Sequence, residues 1–301
     1  APNFSTGFTS NNQSKINYFN IDTKALLFSN PNKPTLSNSN SNTLTNYLKA
    51  QVNYANSFKG LDFNILLGAE QTDSRNQTFL ASRELTLFPD LLQLNAYPAL
   101  NQNVSGDANA WALRSLFSRI NLVASDKYIL ELKASYDGSS RFGASKRYGL
   151  FPAASVGWIV SEEDFLKDNE IINVLKLRGS FGVTGNAGIG NFASLGLFSG
   201  SSYNKNSAIT PLQLANQDLK WEKTNQTDVG LDFALFNNRI SGEVDYYVKK
   251  TNDLLLNEPL PGTSGWSSLT RNVGSMTNKG FEFVLNSTNI KTDDFSWKST
   301  L

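Results

Sequence analysis

The strongest pattern in the chain is a regular alternation of apolar and polar residues. Between Tyr128 and Asp137 the apolar side chains occupy every second position: Tyr128, Leu130, Leu132, Ala134 and Tyr136. Polar side chains fill most of the positions between them: Glu131, Lys133, Ser135 and Asp137, with Ile129 as the exception. Successive side chains of a β-strand point to opposite faces, so this segment predicts a strand with one apolar and one polar face.

The same period of two recurs along the chain. It is clear at 43–54, 61–70, 116–122, 128–137, 175–181, 228–235, 240–249 and 281–286, and weaker at 15–23, 151–160 and 295–301. Helical periodicity is nearly absent. The pattern therefore predicts an all-β protein with about eleven strands.

The connections between these strands alternate in length. Short gaps lie at 55–60, 125–126, 161–172, 237–238 and 289–294, and long ones at 72–112, 138–150, 184–221 and 251–278. We expect an antiparallel up-and-down sheet with all the short turns at one end and all the long loops at the other. This asymmetry is typical of transmembrane β-barrels, which have short periplasmic turns and long extracellular loops.

Strand length is consistent with a membrane span. The eight steps from Tyr128 to Tyr136, at about 3.3 Å each, give roughly 26 Å, or roughly 20 Å of height at the tilt of a barrel strand. One parity is then expected to face lipid: Leu130, Leu132, Leu231, Phe233, Val244 and Tyr246. The other is expected to face the lumen: Glu131, Lys133, Asp232, Glu243 and Asp245.

Alternation alone leaves another fold open. A soluble β-sandwich also alternates, because one face of each sheet is buried in its core. A secreted sandwich that binds carbohydrate or a cell surface is therefore the alternative interpretation, and an all-β hydrolase is a third.

The composition excludes several kinds of chemical site. The 301 residues include no cysteine and no histidine, which excludes disulfides, thiol nucleophiles and imidazole ligands within this sequence. The formal net charge of +1 gives no indication of a nucleic-acid partner. No signal peptide opens the chain, whose first residue is Ala1, and the last residues fall within the alternating segment 295–301, so we expect a piece of a longer protein.

Few residues suggest a chemical site. Asp137 and Arg141 could contact a ligand together, although a loop-folding ion pair or separate solvated charges explain them more simply. Ser161 is expected to cap a short helix, and the acidic run 162–164 lacks the alternating spacing of a calcium loop. The glycines between 179 and 190 lack the Lys-Ser/Thr of a phosphate loop. We predict no metal, no cofactor and no catalytic residue.

Aromatic residues in the long gaps are the candidates for ligand contact. They are Tyr97, Trp111, Tyr203 and Trp266. Exposed aromatic rings can pack against sugar faces or a partner protein, and they can equally pack the loops together.

Six groups of motifs follow one another along the chain. They are DKY at 126–128 with DGSSRFG at 137–143, FPAASVGW at 151–158 with SEEDFL at 161–166, LKLRGSFGVTGN at 175–186, LKWEKT at 219–224 with GLDF at 230–233, NNRI at 237–240 with DYY at 245–247 and TNDLL at 251–255, and NVGSMTNKGFE at 272–282. Taken in this order, they resemble the SusC/RagA-type TonB-linked outer-membrane transporters. The resemblance is dense over residues 113–286, whereas residues 1–112 fit only by pattern.

The resemblance implies a 22-stranded barrel in the outer membrane of a Gram-negative cell, in contact with its lipid. It also implies a plug domain, a segment that contacts TonB, a SusD-type surface lipoprotein, and energy-coupled import of glycans or peptides. Residues 1–301 would form a partial TonB-dependent receptor β-barrel domain, about half of the strands, without the plug domain or the barrel-closing C-terminal strands.

Overall fold

Most of the described chain is β-strand. The computed structural model describes residues 3–18, 35–84, 93–96, 99 and 102–301. Eleven strands form one sheet and follow one another in chain order, apart from two excursions. These strands are β1 (Asn3–Tyr18), β2 (Thr35–Phe58), β3 (Leu61–Glu84), β4 (Gln102–Ala124), β5 (Tyr128–Ser139), β6 (Tyr148–Ile159), β7 (Ile172–Asn186), β10 (Glu222–Leu235), β11 (Ile240–Asn252), β14 (Ser275–Lys291) and β15 (Ser296–Thr300). The all-β class and the predicted strand number are confirmed.

The two excursions are separate two-stranded hairpins. β8 (Leu197–Tyr203) pairs with β9 (Asn206–Gln213), and β12 (Leu255–Pro259) pairs with β13 (Ser268–Asn272). Consequently β7 lies beside β10, and β11 lies beside β14. Both hairpins fall in stretches that the sequence pattern assigned to loops. Neither hairpin has one apolar face and one polar face. The alternation of apolar and polar residues therefore does not reveal these four strands.

The register separates the two faces of the sheet as predicted. One face is apolar across four adjacent strands. On it, Leu177 lies opposite Leu231, Leu231 opposite Val244, and Val244 opposite Phe283. On the other face Lys176, Asp232 and Glu243 lie opposite one another in the same way. The apolar face remains exposed in the isolated chain, with Val229 at 59% and Phe281 at 78% of full exposure.

Hydrogen bonds between neighbouring turns place the short connections at one end. The backbone N–H of Ser125 donates to Gly60, that of Ile159 to Lys127, that of Phe236 to Ile171, and that of Thr288 to Arg239, all between 2.7 and 2.8 Å. The strands from β5 onward pair antiparallel, so the connections 140–147, 187–221 and 253–274 lie at the opposite end. The predicted separation of short and long connections is confirmed for these segments.

The expected long loop at 72–112 is wrong. β3 continues to Glu84 and β4 begins at Gln102, so most of this stretch is strand. β2 and β3 have 24 residues each, whereas a membrane span needs only about 9–11. Most of the additional residues are polar, and side-chain hydrogen bonds join them: Asn76 donates to Ser41 and Thr43, and Thr45 bonds to Ser74. Strand ends in water need no apolar alternation, which is why the pattern missed them.

The chain divides into two compact units. The first comprises Ala1–Phe8, Lys49–Glu70 and Arg114–Leu301, and the second comprises Thr9–Leu48 and Gln71–Leu113. In the first unit, buried apolar residues cluster around Leu219 at the end with the long loops. No helix among the described residues is long and apolar enough to cross a bilayer.

A carboxylate clamp joins two turns at the short-turn end. The Glu163 carboxylate accepts hydrogen bonds from Lys127 Nζ (2.6 Å), Tyr128 Oη (2.5 Å) and Trp158 Nε1 (3.0 Å). Ser161 is buried inside a three-residue 3-10 helix, Val160–Glu162, whose N-terminus has no side-chain cap. The predicted role of Ser161 as a helix cap is therefore wrong, because Ser161 lies within the helix and does not precede it.

The clamp makes the short-turn end sensitive to acid. The hydrogen bond from Lys127, followed by those from Tyr128 and Trp158, lowers the pKa of Glu163 from 4.5 to about 2. A lowered folded-state pKa contributes stability above the unfolded value, and that contribution disappears as the pH falls from about 4.5 towards 2.

We therefore predict that Glu163→Gln removes this acid-dependent protection. Hydrogen–deuterium exchange of the full-length protein at pH 6 and pH 3 measures it in segments 125–128 and 159–168. After correction for intrinsic exchange, the parent should lose part of its protection at pH 3, whereas the variant should be weakly protected at both values. Glu162→Gln is the matched control, because Glu162 is exposed and outside the clamp. Parental protection in Glu163→Gln at pH 6 would contradict the assignment.

Candidate functional site: the long-loop platform

A small hydrophobic core organises the long loops. It consists of Phe142, Phe151, Ala193, Leu219 and Trp221, each no more than 8% exposed. The Trp221 ring lies 5.1 Å from Phe142 and 5.2 Å from Phe151, and its Nε1 donates to the carbonyl of Arg147 at 2.8 Å. Two separate connections, 140–147 and 187–221, thus meet at this core together with Phe151 of strand β6. We call this assembly, built from residues 140–151, 187–196 and 214–222, the loop platform.

Gly143 allows the closest approach within the loop platform. A Cβ at this position would lie 1.9 Å from the backbone oxygen of Gln217, which no side chain tolerates. The Gly143 N–H also donates to the carbonyl of Leu219 at 3.4 Å. The absence of a side chain at Gly143 therefore brings the DGSSRFG loop against the segment that carries Leu219 and Trp221.

Asp137 and Arg141 have loop-folding roles. The Asp137 carboxylate accepts hydrogen bonds from the hydroxyls of Ser115 and Ser135. The Arg141 guanidinium donates to Asn191 Oδ1 at 2.8 Å and to the carbonyl of Ala187 at 3.0 Å. Both side chains hold the loop to its neighbours, as the simpler of the two sequence interpretations expects.

Side-chain amides attach the two hairpins to the loop platform. Gln213 Nε2 lies within 2.8–3.2 Å of the carbonyls of Phe192, Ala193 and Leu195. Asn272 Nδ2 donates to the carbonyls of Lys220 and Asp253, at 2.8 and 3.0 Å. Sequence reasoning missed these amides, since their role depends on loop ends that lie up to 52 residues away.

The predicted ligand aromatics do not form one cluster. Tyr203 ends strand β8 and is 79% exposed, whereas Trp266 lies in the β12–β13 hairpin and is half-buried. Trp111 lies within β4 and not in a loop, because that strand extends beyond the apolar stretch. Tyr97 lies outside the described residues. Of the four predicted candidates, therefore, Tyr203 and Trp266 are the two that the described residues place in a long connection.

An ion-pair network covers the polar face of the sheet. Arg178 donates to Asp232 at 2.8 Å and to Asp245 at 2.6 Å, and Lys176 lies 3.5 Å from Asp232. Gly230 lies opposite Arg178, and a Cβ there would be 2.3 Å from Asp245 Oδ1. The network is charged, half-exposed and on the face that the sequence predicted to line a lumen.

Together, an exposed apolar face, a charged opposite face, short turns at one end and packed loops at the other define a wall segment of a transmembrane β-barrel. The sequence profile of the family described as "TonB dependent receptor-like, beta-barrel" matches residues 2–301. The chain belongs to this family, and it is of the SusC/RagA type.

The individual relatives agree. TonB-dependent receptor P39 of Formosa agariphila is 43% identical over 202 residues, 66% of this chain and 20% of that protein. TonB-dependent receptor SusC of Bacteroides thetaiotaomicron is 35% identical over 258 residues, 82% of this chain and 25% of that protein. The structure of the RagAB peptide importer in the "closed-closed" state superposes with a TM-score of 0.85 at 26% identity, over 99% of this chain and 33% of that chain.

These matches settle the fold alternatives. The chain spans a fifth to a third of the length of the relatives named above. It is part of an outer-membrane β-barrel, so the soluble sandwich is excluded. The family is one of receptors, which confirms that the chain is not an enzyme. The apolar face is accordingly the one that meets lipid.

We predict that Leu132→Arg in the full-length receptor destabilises the barrel by about 2–4 kcal/mol, because it places a cation on the lipid face. Urea unfolding in lipid vesicles measures the loss as a lower midpoint. Ser135→Arg is the control, since it lies on the polar face of the same strand and should unfold near the parental midpoint. Equal midpoints for Leu132→Arg and the parent would overturn the assignment of the two faces.

Proposed function

We propose that this chain forms part of the barrel wall and extracellular loops of a TonB-dependent importer for glycans or peptides. In the intact receptor, a plug region outside these residues would contact TonB, and a SusD-type surface lipoprotein would cover the loop end. Residues 1–301 would supply about half of the strands of that barrel.

The loop platform is the observation that carries this proposal. Receptors that import large ligands need loops of defined shape at the extracellular end, and here two connections meet at one buried core while the side-chain amides of Gln213 and Asn272 hold the two hairpins to it. The similarity to SusC and to a structure of the RagAB peptide importer supports the class of activity. The loop platform does not distinguish glycans from peptides, so the proposal includes both substrate classes.

Uptake by intact cells tests the function. A strain that lacks the full-length receptor and a complemented strain are given fluorescent oligosaccharides or fluorescent peptides, with and without a protonophore. We expect receptor-dependent uptake of one class and its loss when the proton-motive force collapses. Uptake of both classes that is unaffected by receptor deletion would refute the proposal.

We further propose that Tyr203 and Trp266 contact the imported ligand or the lipoprotein, while a similar role for Trp111 and Tyr97 stays a prediction. An aromatic contact contributes about 0.5–1.5 kcal/mol, so Tyr203→Ala or Trp266→Ala should raise the half-saturation concentration roughly 2- to 12-fold. Ile209→Ala is a matched control, because Ile209 is an equally exposed aliphatic residue on the same hairpin as Tyr203. Unchanged half-saturation in both aromatic variants would count against this role.

A further inference from the structure

The apolar residues of the lipid face end at one level on two neighbouring strands, near the end with the long loops. On β11, Tyr246 and Val248 are followed on this face by Lys250. On β14, Phe281 lies opposite Tyr246, with the two ring centroids 4.7 Å apart, and the next residue of the same face towards the long loops is Lys279. Two lysines therefore lie directly beyond a pair of aromatic rings.

The strand register places these two lysines close together. Lys279 lies opposite Val248, and Lys250 lies opposite Thr277, two residues before Lys279 on β14. Residues in this diagonal relation are roughly 7–8 Å apart, and cross-strand partners point to the same face. Both ammonium groups can therefore reach one anionic group that lies between them. Lys249, by contrast, points to the opposite face of the sheet.

The positive charge at this level is not neutralised by the same face. Lys250 and Lys279 are exposed, and neither forms an ion pair with any residue that the structure describes. Asp253, just beyond β11, pairs instead with Lys220 at 3.0 Å. The register puts every carboxylate of β10, β11 and β14 on the polar face: Glu222, Asp228, Asp232, Glu243, Asp245 and Glu282. An anion beside the two lysines would therefore be stabilised.

The level of the two lysines matches the boundary of the bilayer. A lysine near the end of a membrane span can lay its apolar stem along the hydrocarbon and extend its ammonium group to the headgroups. A cation at this depth costs little, unlike one at the midplane. Lys223 on β10 shares the face, but its ammonium lies 5.8 Å from the centre of the Phe151 ring, so it is held by the loop platform.

We propose that Lys250 and Lys279 together bind the phosphate group of an anionic lipid in the outer leaflet, whose acyl chains lie along the apolar face beside Tyr246 and Phe281. The lysine ammonium is a compact charge that binds phosphate oxygens. The two lysines continue the face that meets lipid, which favours a lipid over a ligand in the lumen. The proposal depends on membership of the barrel family and not on the import activity proposed above.

Lipid titration of the full-length receptor tests the proposal. The receptor is purified in a non-ionic detergent and titrated with phosphatidylglycerol or phosphatidylcholine, and native mass spectrometry counts the lipids that stay bound. We expect tighter binding of phosphatidylglycerol. Lys250→Gln and Lys279→Gln should each raise its apparent Kd about 5-fold, and the double variant roughly 25-fold, because each lysine near an anionic headgroup contributes a similar amount. The variant Lys250→Arg/Lys279→Arg keeps both charges and should bind like the parent.

Lys249→Gln is the matched control, because Lys249 is exposed, adjacent to Lys250 and opposite Gln226 on the polar face. Glycerol 3-phosphate, a headgroup without acyl chains, should not displace the bound lipid. The proposal is overturned if the double Gln variant binds phosphatidylglycerol like the parent, if Lys249→Gln weakens binding as much as Lys250→Gln, if phosphatidylcholine binds as tightly, or if glycerol 3-phosphate displaces the lipid. Lost lipid preference with normal uptake would reject only this proposal, and lipid binding without uptake would reject only the import function.

Discussion

The backbone hydrogen-bond ladder is the constraint on which the rest of this structure depends. In hydrocarbon no water can satisfy a free N–H or C=O, so each strand must be paired along its whole membrane span. Strand β10 shows the result: it is paired with β7 on one side and β11 on the other over its entire length. The ladder uses only backbone groups, so the side chains on the two faces can differ. Apolar side chains on the lipid face and polar ones on the other face give the alternating sequence.

The ladder also explains where the hydrophobic core lies. The apolar side chains of a membrane sheet contact lipid, so they do not need to be buried within the protein. Burial is needed only where the chain leaves the membrane and must fold in water, and there Trp221 and Leu219 are covered by the DGSSRFG loop. The polar face instead relies on ion pairs centred on Arg178, which suits a half-exposed, water-accessible wall.

Sequence patterns predicted the parts of the fold that membrane burial dictates. Segments 128–137 and 228–235 alternate because each residue faces either lipid or lumen, and both became strands with the expected facing. The pattern failed where water is the solvent on both faces, as in the polar half of β3, which Asn76 and Ser74 hold by side-chain hydrogen bonds. This part of β3 is held by residues of a neighbouring strand, and the local alternation of apolar and polar residues does not reveal them.

Even less of the candidate site could be read from the sequence. Tyr203 lies in a long connection, as the sequence predicts, but no sequence pattern predicts the core around Trp221. Gly143 looks like an ordinary loop glycine until Gln217, 74 positions later, is found against it. Contacts of this kind depend on how separate loops pack together. Apart from Gly143 itself, the sequence does not indicate that these two loops are in contact.

The attachment of the hairpins has a consequence for how such receptors diversify. The β8–β9 and β12–β13 hairpins form sheets of their own, and the side-chain amides of Gln213 and Asn272 fasten their bases to the loop platform. Residues beyond those anchors can therefore change in length or composition without breaking a single bond of the membrane ladder. The architecture thus separates the requirement to span the bilayer from the shape of the long-loop end. A hairpin tip can then be exchanged while the membrane wall stays as it is.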